Sequence, residues 1–476
     1  MTEKSSIVLL NPPADEIVIR DNYCSKVSQA FYINHPIDLL IQSGFLNKYF
    51  NVHVIDAIVS KMPFETCLKK IAELNPKAVY ALAGNASWNS DLHFFKVLKH
   101  RFPNIILAVS GDIFLENPED ILKDIQEIDI VITDFTLPTL TDFLNGNDTN
   151  LNQVLFRHNA EIVDRRTTYK GSTDFTIPCP LHDRFVKYDY RYPFVKRKPF
   201  ATVMTEYGCP YHCAFCVMGT LGHKVRPVDN VVEELSYVSD LGIRDVFFVD
   251  QSFGNNRNRT AELCKSIYNR FPYLRWICFS RVDLVHEEVL REMKLAGCHT
   301  IIFGVETANE IMLDKYRKGY HLEQVKSVFS LMKRLKIRSV ATFLLGLPGE
   351  TWQSACETIE FAKVLNCDFA SINVAVPRMG TDLRKWAIEK GYIDPDHKQF
   401  DQSGTEVIME TEQLSRDELQ KLKRKAVRDL YLRPGYLLRR LLSIRSVSEL
   451  SIQCHEGFNL FKKLFSYHHD NSKNKQ

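Results

Sequence analysis

The sequence predicts an α/β protein made of two parallel-sheet units followed by a helical region. Short apolar runs alternate with helical patterns over residues 5–134, the alternation returns from residue 199, and the sequence after residue 400 is basic with helical spacing. Such alternation is typical of parallel sheets covered by helices. We therefore expect a doubly wound domain at 1–140, a connector at 141–198, a partial barrel at 199–400, and a helical C-terminal region with a disordered tail at 401–476.

Composition is that of an ordinary soluble globular protein. The 476 residues include 45% hydrophobic and 25% charged residues, and the formal net charge is +3. A charge this small predicts neither a nucleic acid nor a membrane as the partner. The first apolar run is too short for a signal peptide, and no run reaches the roughly 18 apolar residues of a spanning helix. We expect a cytoplasmic protein in which most of the 12 cysteines are reduced and buried.

The first unit contains five apolar runs that predict buried strands, with helical patterns between them. The runs lie at 5–10, 51–58, 78–83, 105–110 and 128–133. A parallel sheet binds ligands at the carboxyl ends of its strands. Small or polar residues stand at those ends: Asn11, Gly84, Asn85, Ser110, Gly111 and Thr133. No Gly-x-Gly-x-x-Gly follows the first strand, which argues against a dinucleotide as the ligand. The alternative to a ligand-binding sheet is one that only supports a neighbouring domain.

The connector is polar around NGNDTNLNQ and then rich in proline and aromatic residues through TIPCPLHDRFVKYDYRYPFVKRKP. This composition is typical of a segment that runs over a surface. We expect an ordered strap that contributes no core element.

The second unit contains six apolar runs of the strand–helix type. They lie at 199–207, 245–250, 275–283, 300–307, 338–346 and 369–376. Six units fit a partial barrel, because a complete eight-unit barrel needs roughly 250 residues. Functional groups of such barrels gather at the carboxyl ends of the strands. Three cysteines directly follow the first strand, which places them on that face.

The C-terminal region begins with a capping box at Ser415 and Glu418. Residues 416–445 carry ten Lys and Arg against three Asp and Glu, and Pro434 should divide them into two helices. We expect the apolar face to cover the open side of the barrel; contact with an anionic membrane is the less favoured alternative. That face consists of Leu430, Leu432, Tyr436, Leu437, Leu438, Leu441 and Leu442.

The stretch YGCPYHCAFCVMG brings together Cys209, Cys213 and Cys216. A structural zinc site needs four ligands, and His212 or His223 would have to supply the fourth. A [4Fe–4S] cluster is held by thiolates, normally four. Three thiolates leave one iron open to a ligand that is not protein, and this is the more specific interpretation.

Cys-x3-Cys-x2-Cys after the first strand of a partial barrel, with Phe215 just before the third cysteine, resembles the signature of the radical S-adenosylmethionine (SAM) enzymes. The resemblance implies that the three cysteines hold a [4Fe–4S] cluster whose open iron is chelated by the methionine part of SAM. Reduction of the cluster then yields a 5′-deoxyadenosyl radical. An electron donor such as flavodoxin or ferredoxin is implied as a partner.

The same resemblance implies SAM contacts at the barrel mouth. Phe215 matches the aromatic residue near the adenine, and GLPGET at 346–351 ends the fifth strand as in many members. Asp250 and Gln251 occupy the place of the motif for the methionine amino group, although the common Gly-Gly-Glu is absent. For Arg281 and Glu306, the alternative interpretation is a structural salt bridge at the barrel mouth. The implied set is Phe215, Asp250, Gln251, Ser280, Arg281, Glu306 and Gly346.

Residues 5–445 also resemble a subclass with an N-terminal cobalamin-binding domain, which includes the bacteriochlorophyll E-ring cyclase type and many C-methyltransferases. Asn-Pro-Pro after the first strand, the end of the connector and LYLRPGYLLRR carry the likeness. It implies cobalamin at the polar strand ends named above, with no protein imidazole on cobalt, since the first loop lacks Asp-x-His-x-x-Gly. We interpret His93 as a helix-surface residue. TDFTLP at 133–138 stands where relatives often carry Gly-Glu-Gly-Glu.

These features predict a cobalamin-dependent radical SAM enzyme, most simply a methyltransferase acting on an unactivated carbon of a small-molecule or natural-product substrate. Ring closure or rearrangement without methyl transfer is one alternative, and a metal-binding regulatory or binding protein is the alternative of another class. A methylthiotransferase would need a second set of three cysteines, yet the first unit holds only Cys24 and Cys67.

Overall fold

The computed structural model describes residues 4–443 except 23, 27–31, 148, 150, 160, 170 and 405. Its strands are β1 Ser6–Asn11, β2 Val18–Ile19, β3 Ser25–Lys26, β4 Asn51–Asp56, β5 Ala78–Leu82, β6 Ile106–Ser110, β7 Ile130–Ile132, β8 Val154–His158, β9 Glu161–Asp164, β10 Ser172–Asp174, β11 Ala201–Val203, β12 Glu206–Gly208, β13 His223–Val225, β14 Asp245–Phe248, β15 Arg275–Ser280, β16 Cys298–Glu306, β17 Arg338–Leu345 and β18 Phe369–Val374. Its helices are α1 Ile37–Asn47, α2 Phe64–Leu74, α3 Trp88–Arg101, α4 Pro118–Asp124, α5 Thr139–Leu144, α6 His182–Phe185, α7 Val228–Asp240, α8 Arg257–Arg270, α9 Glu287–Leu295, α10 Glu310–Lys315, α11 Leu322–Leu335, α12 Trp352–Leu365, α13 Asp382–Glu389, α14 Arg416–Tyr431 and α15 Pro434–Ser443.

The five strands predicted for the first unit form the parallel part of one sheet, which confirms them. Their order is β4-β1-β5-β6-β7, so that β1 pairs with β4 on one side and with β5 on the other. In chain order this is 2-1-3-4-5, the flavodoxin-like arrangement, whose switch point lies between β1 and β5. Successive residues of β1 enter opposite cores: Ile7 and Leu9 pack in the core with α1, while Val8 and Leu10 pack in the core with α2, α3 and α4.

The connector differs from the expectation in its first part. The strands β8 and β9 extend the sheet in antiparallel fashion beyond β7. The prediction of a strap without core elements is wrong here, because Val154 and Leu155 are fully buried. Their apolar run is only three residues long in a polar stretch, too short to show a period in the sequence. Later in the connector, β10 pairs with β13 beside the cysteine loop.

The second unit is a six-stranded parallel sheet in the order β11-β14-β15-β16-β17-β18, as predicted. Ala341 and Phe343 of β17, and Ala370 and Ile372 of β18, pack in the core shared with the surrounding helices. The residues that alternate with these on β18, and Thr342 on β17, are half-exposed although their strands lie inside the protein. The inward face of the sheet therefore lines a space open to solvent. Its half-exposed members are Phe279, Gly304, Glu306, Thr342, Ser371 and Asn373.

Aromatic residues of the connector reach both ends of this sheet. The ring of Tyr192 stacks on Phe247 of β14, with centroids 4.5 Å apart. The ring of Phe194 meets Phe369 of β18 edge-on, with centroids 5.0 Å apart. Two residues of the connector thus bridge from the second strand of the barrel sheet to its last strand. The seam that a six-stranded barrel leaves open is crossed here by the connector.

The C-terminal helices confirm the capping box and the break at Pro434. The Ser415 hydroxyl accepts from the Glu418 backbone N–H, and α14 ends at Tyr431 before α15 starts at Pro434. Leu419, Leu422, Ala426 and Leu430 of α14 are buried in the core shared with β17, β18 and α12. The predicted apolar face is wrong in its later part, because Leu432, Leu437 and Leu438 are 36%, 46% and 58% exposed. The side chains after 438 lie outside the described residues. Within the described part, no helix is long and apolar enough to cross a membrane.

We expect Leu419→Ala to lower the free energy of unfolding by about 2–5 kcal/mol, the range for truncating a buried leucine. Leu419 is fully buried, and a Cβ added at Gly346 would lie 2.8 Å from its Cδ2 atom, so the two residues are closely packed. Leu437→Ala is the control, because this side chain is 46% exposed and its loss should cost under about 0.5 kcal/mol. Anaerobic urea unfolding measures both. Equal losses for the two variants would contradict the packing of α14 on the barrel.

The two units meet through the carboxyl ends of the first sheet and the loops around the barrel mouth. Asp134, just after β7, forms a buried ion pair with Lys224 of β13, and Phe135 lies 5.4 Å from Tyr207 between ring centroids. One apolar core contains residues of β1 and β5 together with Cys209 and Met218 from the cysteine loop. Because this core is continuous, the cysteine loop and the ligand-binding edge of the first sheet face each other.

Candidate active site

The three cysteines stand on the loop that follows β12, at the mouth of the barrel. Cys209 is buried, while Cys213 and Cys216 are half-exposed and line a cleft of about 260 Å³ together with His212 and Arg317. The Cys216 backbone N–H donates to the Cys213 carbonyl at 3.0 Å, which closes a tight turn around the two thiols. Burial, with the nearby Cys216 thiol as a smaller cause, raises the pKa of Cys209 to about 11. A cation bound to these thiols would have to displace their protons.

The arrangement does not support the zinc alternative. Among the described residues, no three His, Cys, Asp or Glu side chains converge as ligands of a single metal ion. His223 is engaged elsewhere: its Nδ1 lies 2.9 Å from the Ser172 hydroxyl and its Nε2 3.3 Å from Glu206. The thiolates of a [4Fe–4S] cluster bind different irons and need not converge on one point. Two thiols at a cleft, with a third on the same loop, fit such a cluster better than a single ion.

Two cations and two carboxylates surround Cys213. The Arg281 Nη1 lies 3.9 Å from the Cys213 sulfur, and Arg281 pairs with Asp283 at 2.9 Å. The Lys318 ammonium pairs with Glu306 at 3.0 Å and is almost fully buried. Burial raises the pKa of Cys213, and the charges of Lys318 and Arg281 oppose that rise. Burial also disfavours the charged form of Lys318, but its anionic neighbours, led by Glu306, hold its pKa above the usual value.

Glu306 occupies its position at the cost of backbone strain. Its φ is +64°, in the left-handed region, and the pairing of β16 with β17 shifts register between Gly304 and Glu306. A Cβ at Gly304 would lie 2.4 Å from Glu306 Oε1 and 3.3 Å from Lys318 Nζ. Positive φ in a residue other than glycine is concentrated at functional sites. The bulge and the glycine together turn the Glu306 carboxylate into the barrel mouth.

The other predicted SAM contacts of β14 and β15 are tied to the protein. Asp250 accepts from the Thr205 backbone at 2.6 Å, the Thr205 hydroxyl at 2.6 Å and the Glu206 backbone at 2.9 Å. Burial, followed by the neighbouring Glu206, raises the pKa of Asp250 to about 6. Ser280 donates to the Phe253 carbonyl at 2.7 Å, and Gln251 donates to the Val249 carbonyl at 3.2 Å.

The GLPGET turn places a carboxyl group inside the protein. Glu350 is 1% exposed; its Oε2 accepts from the Gly346 backbone, and its Oε1 has no hydrogen-bond partner in the protein. Burial raises the pKa of Glu350 to about 8. Gly346 has a φ of +79°, and Leu419 occupies the space that a Cβ would need there. Phe215 lies near the same turn through Tyr316, whose hydroxyl donates to the Pro348 carbonyl at 2.8 Å.

We expect the free energy of unfolding to fall more steeply between pH 5.5 and pH 8 in the native chain than in Glu350→Gln. The folded protein keeps the Glu350 proton up to a pKa of about 8, whereas the unfolded chain loses it near the ordinary glutamate pKa of 4.5. In that window the folded state binds more protons, so stability is lost as pH rises, by at most about 1.4 kcal/mol per pH unit. Glu357→Gln, an exposed change on α12, should leave the profile as in the native chain. A profile unchanged by Glu350→Gln would show that Glu350 is ionised when folded.

The polar strand ends of the first sheet come together around a guanidinium that the sequence analysis missed. Arg20 is buried and pairs with Asp91 at 2.6 Å. The same guanidinium donates to the Asn11 side chain at 2.7 Å and to the Ser87 hydroxyl at 3.0 Å. Asn11 also donates to Asp56 at 3.0 Å, so its side chain is fixed at the switch point. An arginine directly after the apolar run IVI was the only sequence signal for this role.

The remaining predicted positions lie on the same edge. Ser110 accepts from Tyr80 and donates to Asp38, both at 2.7 Å, and Thr133 donates to the Gln153 carbonyl at 2.9 Å. A Cβ at Gly111 would lie 1.7 Å from the Ala83 oxygen, and one at Gly84 would lie 2.2 Å from the Cys24 sulfur. Both glycines are therefore required by close packing at the strand ends. His93 is exposed on α3, as the sequence analysis expected.

The sequence profile of the Radical SAM superfamily matches residues 204–362, from just after β11 through most of α12. This segment of the chain is a radical SAM domain. The matched segment contains the cysteine loop, the Arg281–Lys318–Glu306 cluster and the GLPGET turn described above.

Two curated relatives show how far the similarity of the enzyme extends. This chain is 27% identical over 415 residues to PH0819 of Pyrococcus horikoshii, a protein named as a methyltransferase. The alignment covers 85% of this chain and 89% of the relative. The chain is 24% identical over 306 residues to a tRNA-2-methylthio-N(6)-dimethylallyladenosine synthase of Buchnera aphidicola, covering 60% of this chain and 63% of the relative. The second likeness spans less than two thirds of either protein.

Two solved structures share the fold over nearly the whole enzyme. The radical SAM methyltransferase TsrM from Kitasatospora setae, solved with cobalamin and a [4Fe–4S] cluster, superposes with a TM-score of 0.66 at 17% identity, covering 91% of this chain and 92% of TsrM. The cobalamin-dependent radical SAM enzyme OxsB, solved with aqua-cobalamin and SAM, gives a TM-score of 0.69 at 14% identity, covering 96% of this chain and 72% of OxsB. At these identities the likeness concerns the fold.

Proposed function

We propose that the protein is a cobalamin-dependent radical SAM C-methyltransferase that acts on an unactivated carbon of a small molecule. One observation carries the proposal: the cysteine loop and the switch-point edge of the flavodoxin-like sheet share a buried core and face each other. Groups bound at the two places would lie across one cavity. In this proposal residues 1–140 form the cobalamin domain, 141–198 the connector, 199–400 the radical domain and 401–476 the helical region, with β8 and β9 of the connector joined to the first sheet.

The donor sets fit the groups that the proposal requires. Cys213 and Cys216 line one cleft and Cys209 is the buried third thiol of the same loop, and three is the number that leaves one cluster iron open. Glu306 and Lys318 present opposite charges beside Cys213, which matches the zwitterionic methionine end of SAM. The buried amides and hydroxyls at the ends of β1, β5 and β6 have the chemistry to bind the amide arms of cobalamin, although several of them already bond to one another.

Together these groups would supply a 5′-deoxyadenosyl radical and a methyl carrier, which are chemistries that protein side chains lack. The chain itself has four tasks. Its thiols hold the cluster, Arg281 and Lys318 balance the negative charge near Cys213, the inward-facing residues of β15 to β18 shape the substrate space, and the packed interface excludes water. Thr342, Ser371 and Asn373 are the uncharged polar members of that space and are suited to orient a neutral substrate. An electron donor such as flavodoxin or ferredoxin completes the proposal.

The competing functions are less well supported. Cys24 and Cys67 of the first unit are both buried, and Cys67 lies on α2, so they do not form the second cysteine set of a methylthiotransferase. Where such an enzyme carries a C-terminal β-barrel, the described part of this chain has α14 and α15. Ring closure or rearrangement would use the same cavity, and the products distinguish it from methylation.

We expect the anaerobically reconstituted enzyme, supplied with cobalamin, a reductant and SAM carrying a trideuterated methyl group, to transfer that methyl to a carbon of its substrate. Mass spectrometry should find the labelled product with 5′-deoxyadenosine and S-adenosylhomocysteine in equal amounts, because one SAM yields the radical and another the methyl group. Candidate metabolites are screened by this pair of co-products. A converted substrate with 5′-deoxyadenosine but no S-adenosylhomocysteine would mean rearrangement, and would refute the methyltransferase proposal.

A further inference from the structure

The barrel has a second end opposite its mouth, where its strands begin, which we call the basal face. It consists of the residues from the last turn of α7, α8, α9, α11 and α12 to the first residue of the strand that follows each helix. Because the strands are parallel, all these segments lie at one end of the sheet. Two of them are tied together, since the Lys294 side chain at the end of α9 donates to the Lys336 carbonyl after α11 at 2.9 Å.

Large apolar side chains of the basal face are exposed to solvent. Tyr273, Leu295 and Val364 are 72%, 69% and 71% exposed. Tyr268, in the last turn of α8, and Leu241, directly after α7, are exposed as well. A side chain that remains in water adds little to the hydrophobic core. Core packing therefore does not account for the apolar residues at these positions.

The helix α15 begins at the same end of the barrel. The Tyr431 hydroxyl, just before α15, donates to the Ala370 carbonyl near the start of β18. Leu432, Leu437 and Leu438 follow, and all three are exposed. These leucines add further uncovered apolar surface next to the basal face.

The remainder of the barrel unit exposes few large apolar residues. In the described part of 199–400, the exposed ones outside the basal face are Ile311 and Trp352, at the starts of α10 and α12. Single apolar residues on a surface are ordinary. A group of them gathered at one end of a domain instead marks a surface that binds a partner.

The basal face is also strongly basic. Its exposed and half-exposed basic residues are Arg244, Arg270, Arg275, Lys294, Lys333, Arg334, Lys336, Arg338 and Lys363, and its exposed carboxylates are Asp240, Glu292 and Asp368. The connector adds the exposed stretch Lys-Arg-Lys at 196–198, held here because the Lys196 and Arg197 backbone N–H groups donate to Asp245 at 2.9 and 3.1 Å. A surface with this excess of positive charge attracts an anionic partner.

We propose that the basal face binds the surface of an anionic lipid bilayer, with its tyrosine and leucine side chains inserted among the headgroups. The inference does not depend on the proposed function. Lysine and arginine are attracted to anionic headgroups, while tyrosine and apolar side chains leave water at the bilayer interface. A nucleic acid would pair with the same cations, but its phosphates offer nothing to aliphatic side chains such as Leu295 and Val364. Because the barrel mouth is at the opposite end, bilayer binding leaves the cysteine loop clear of lipid.

The charge of the face is tested by the pair Arg270→Glu with Lys294→Glu. Both side chains are exposed, so the iron content and the midpoint of thermal unfolding should stay those of the native chain. Lys69→Glu with Lys70→Glu is the matched control, because it makes the same change in net charge at two exposed lysines of α2 in the first unit.

The apolar side chains are tested by the pair Tyr273→Ser with Leu295→Ser. Tyr49→Ser with Ile311→Ser is the matched control, since it removes one exposed tyrosine and one exposed aliphatic residue away from the basal face. Iron content and the unfolding midpoint are measured for all four double variants.

The experiment is flotation of the full-length, cluster-containing enzyme with vesicles of phosphatidylglycerol and phosphatidylcholine, and with vesicles of phosphatidylcholine alone. We expect the native chain to float with the anionic vesicles at about 0.1 M salt and to be released at about 0.5 M salt. The charge pair should lower the partition coefficient about 25-fold, which is about fivefold for each basic residue lost, and the apolar pair about tenfold. Both control pairs should float as the native chain does.

Three outcomes would overturn the proposal. The first is a native chain that does not float with anionic vesicles, and the second is flotation that neither basal pair weakens. The third is tight binding of a short single-stranded RNA, lost in the charge pair, by a native chain that does not float, which would assign the face to a nucleic acid.

Discussion

Replacing Cys213 by alanine is expected to remove the iron–sulfur cluster and with it all radical formation. Cys213 lines the cleft with Cys216 and the Arg281 guanidinium lies 3.9 Å from its sulfur, so its loss would leave one cluster iron without its protein ligand. The native chain should bind about four irons and four sulfides after anaerobic reconstitution, and the variant close to none. Iron and sulfide analysis, the visible absorption of the cluster and 5′-deoxyadenosine formation measure the loss. We expect the same result for Cys209→Ala and Cys216→Ala.

The matched control is Cys356→Ala, at a half-exposed cysteine on α12 outside the cysteine loop. It removes a thiol of comparable exposure and should keep full cluster content and full 5′-deoxyadenosine formation. A Cys213→Ala protein with the iron content of the native chain would refute the assignment of the three ligands.

Asp134→Ala is expected to lower the free energy of unfolding by about 3–5 kcal/mol, the usual cost of leaving one partner of a buried ion pair alone. Asp134 and Lys224 are each 2% exposed, and the Lys224 ammonium otherwise contacts the Thr136 hydroxyl and the rings of Tyr169, Phe175 and Tyr207. The variant would leave this charge buried without its carboxylate. Because Asp134 belongs to the first sheet and Lys224 to the barrel unit, the two units should also separate more readily. Anaerobic urea unfolding with two probes, one in each unit, measures both effects.

Two comparisons make this prediction specific. Asp164→Ala removes a carboxylate whose pair with Arg166 is about one third exposed, and should cost under about 1 kcal/mol. The double change Asp134→Leu with Lys224→Met replaces the buried pair by apolar groups and should recover most of the loss. A cost below about 1 kcal/mol for Asp134→Ala would mean that water reaches Lys224 in the folded protein.

Local patterns predicted the elements of the fold well where the sequence carries a clear period. All eleven apolar runs of the two units became strands of the two large sheets, and the capping box and proline of the C-terminal helices were found where expected. The sheet hairpin β8–β9 was missed because its buried residues are few and its neighbours polar. The exposed leucines of α15 were misjudged for another reason. A helical period shows that a face is apolar, but it does not show whether anything covers it.

The residues of the candidate site were likewise predicted where they are close together in the sequence and missed where they are far apart. The cysteine loop is contiguous in the sequence, and its spacing alone predicted the three thiols. Lys318 and Arg20 were missed, because their partners Glu306 and Asp91 are 12 and 71 residues away and no local rule pairs them. Asp250 was predicted as a SAM contact from its position after β14, yet its oxygens accept from Thr205 and Glu206. Whether a polar side chain already has hydrogen-bond partners within the protein depends on the tertiary structure, and local sequence patterns do not predict it.

The most direct test of the whole account is electron paramagnetic resonance of the cob(II)alamin complex of the cluster-containing enzyme. The account predicts that cobalamin is retained and that its spectrum lacks the nitrogen splitting of a protein imidazole. On the described part of the chain, His93 is exposed, and the buried His35 is engaged with Thr202 at 3.0 Å. A spectrum with a clear imidazole nitrogen pattern would contradict the predicted mode of binding, and an enzyme that retains no cobalamin after reconstitution would contradict the central claim that the first sheet is a cobalamin domain.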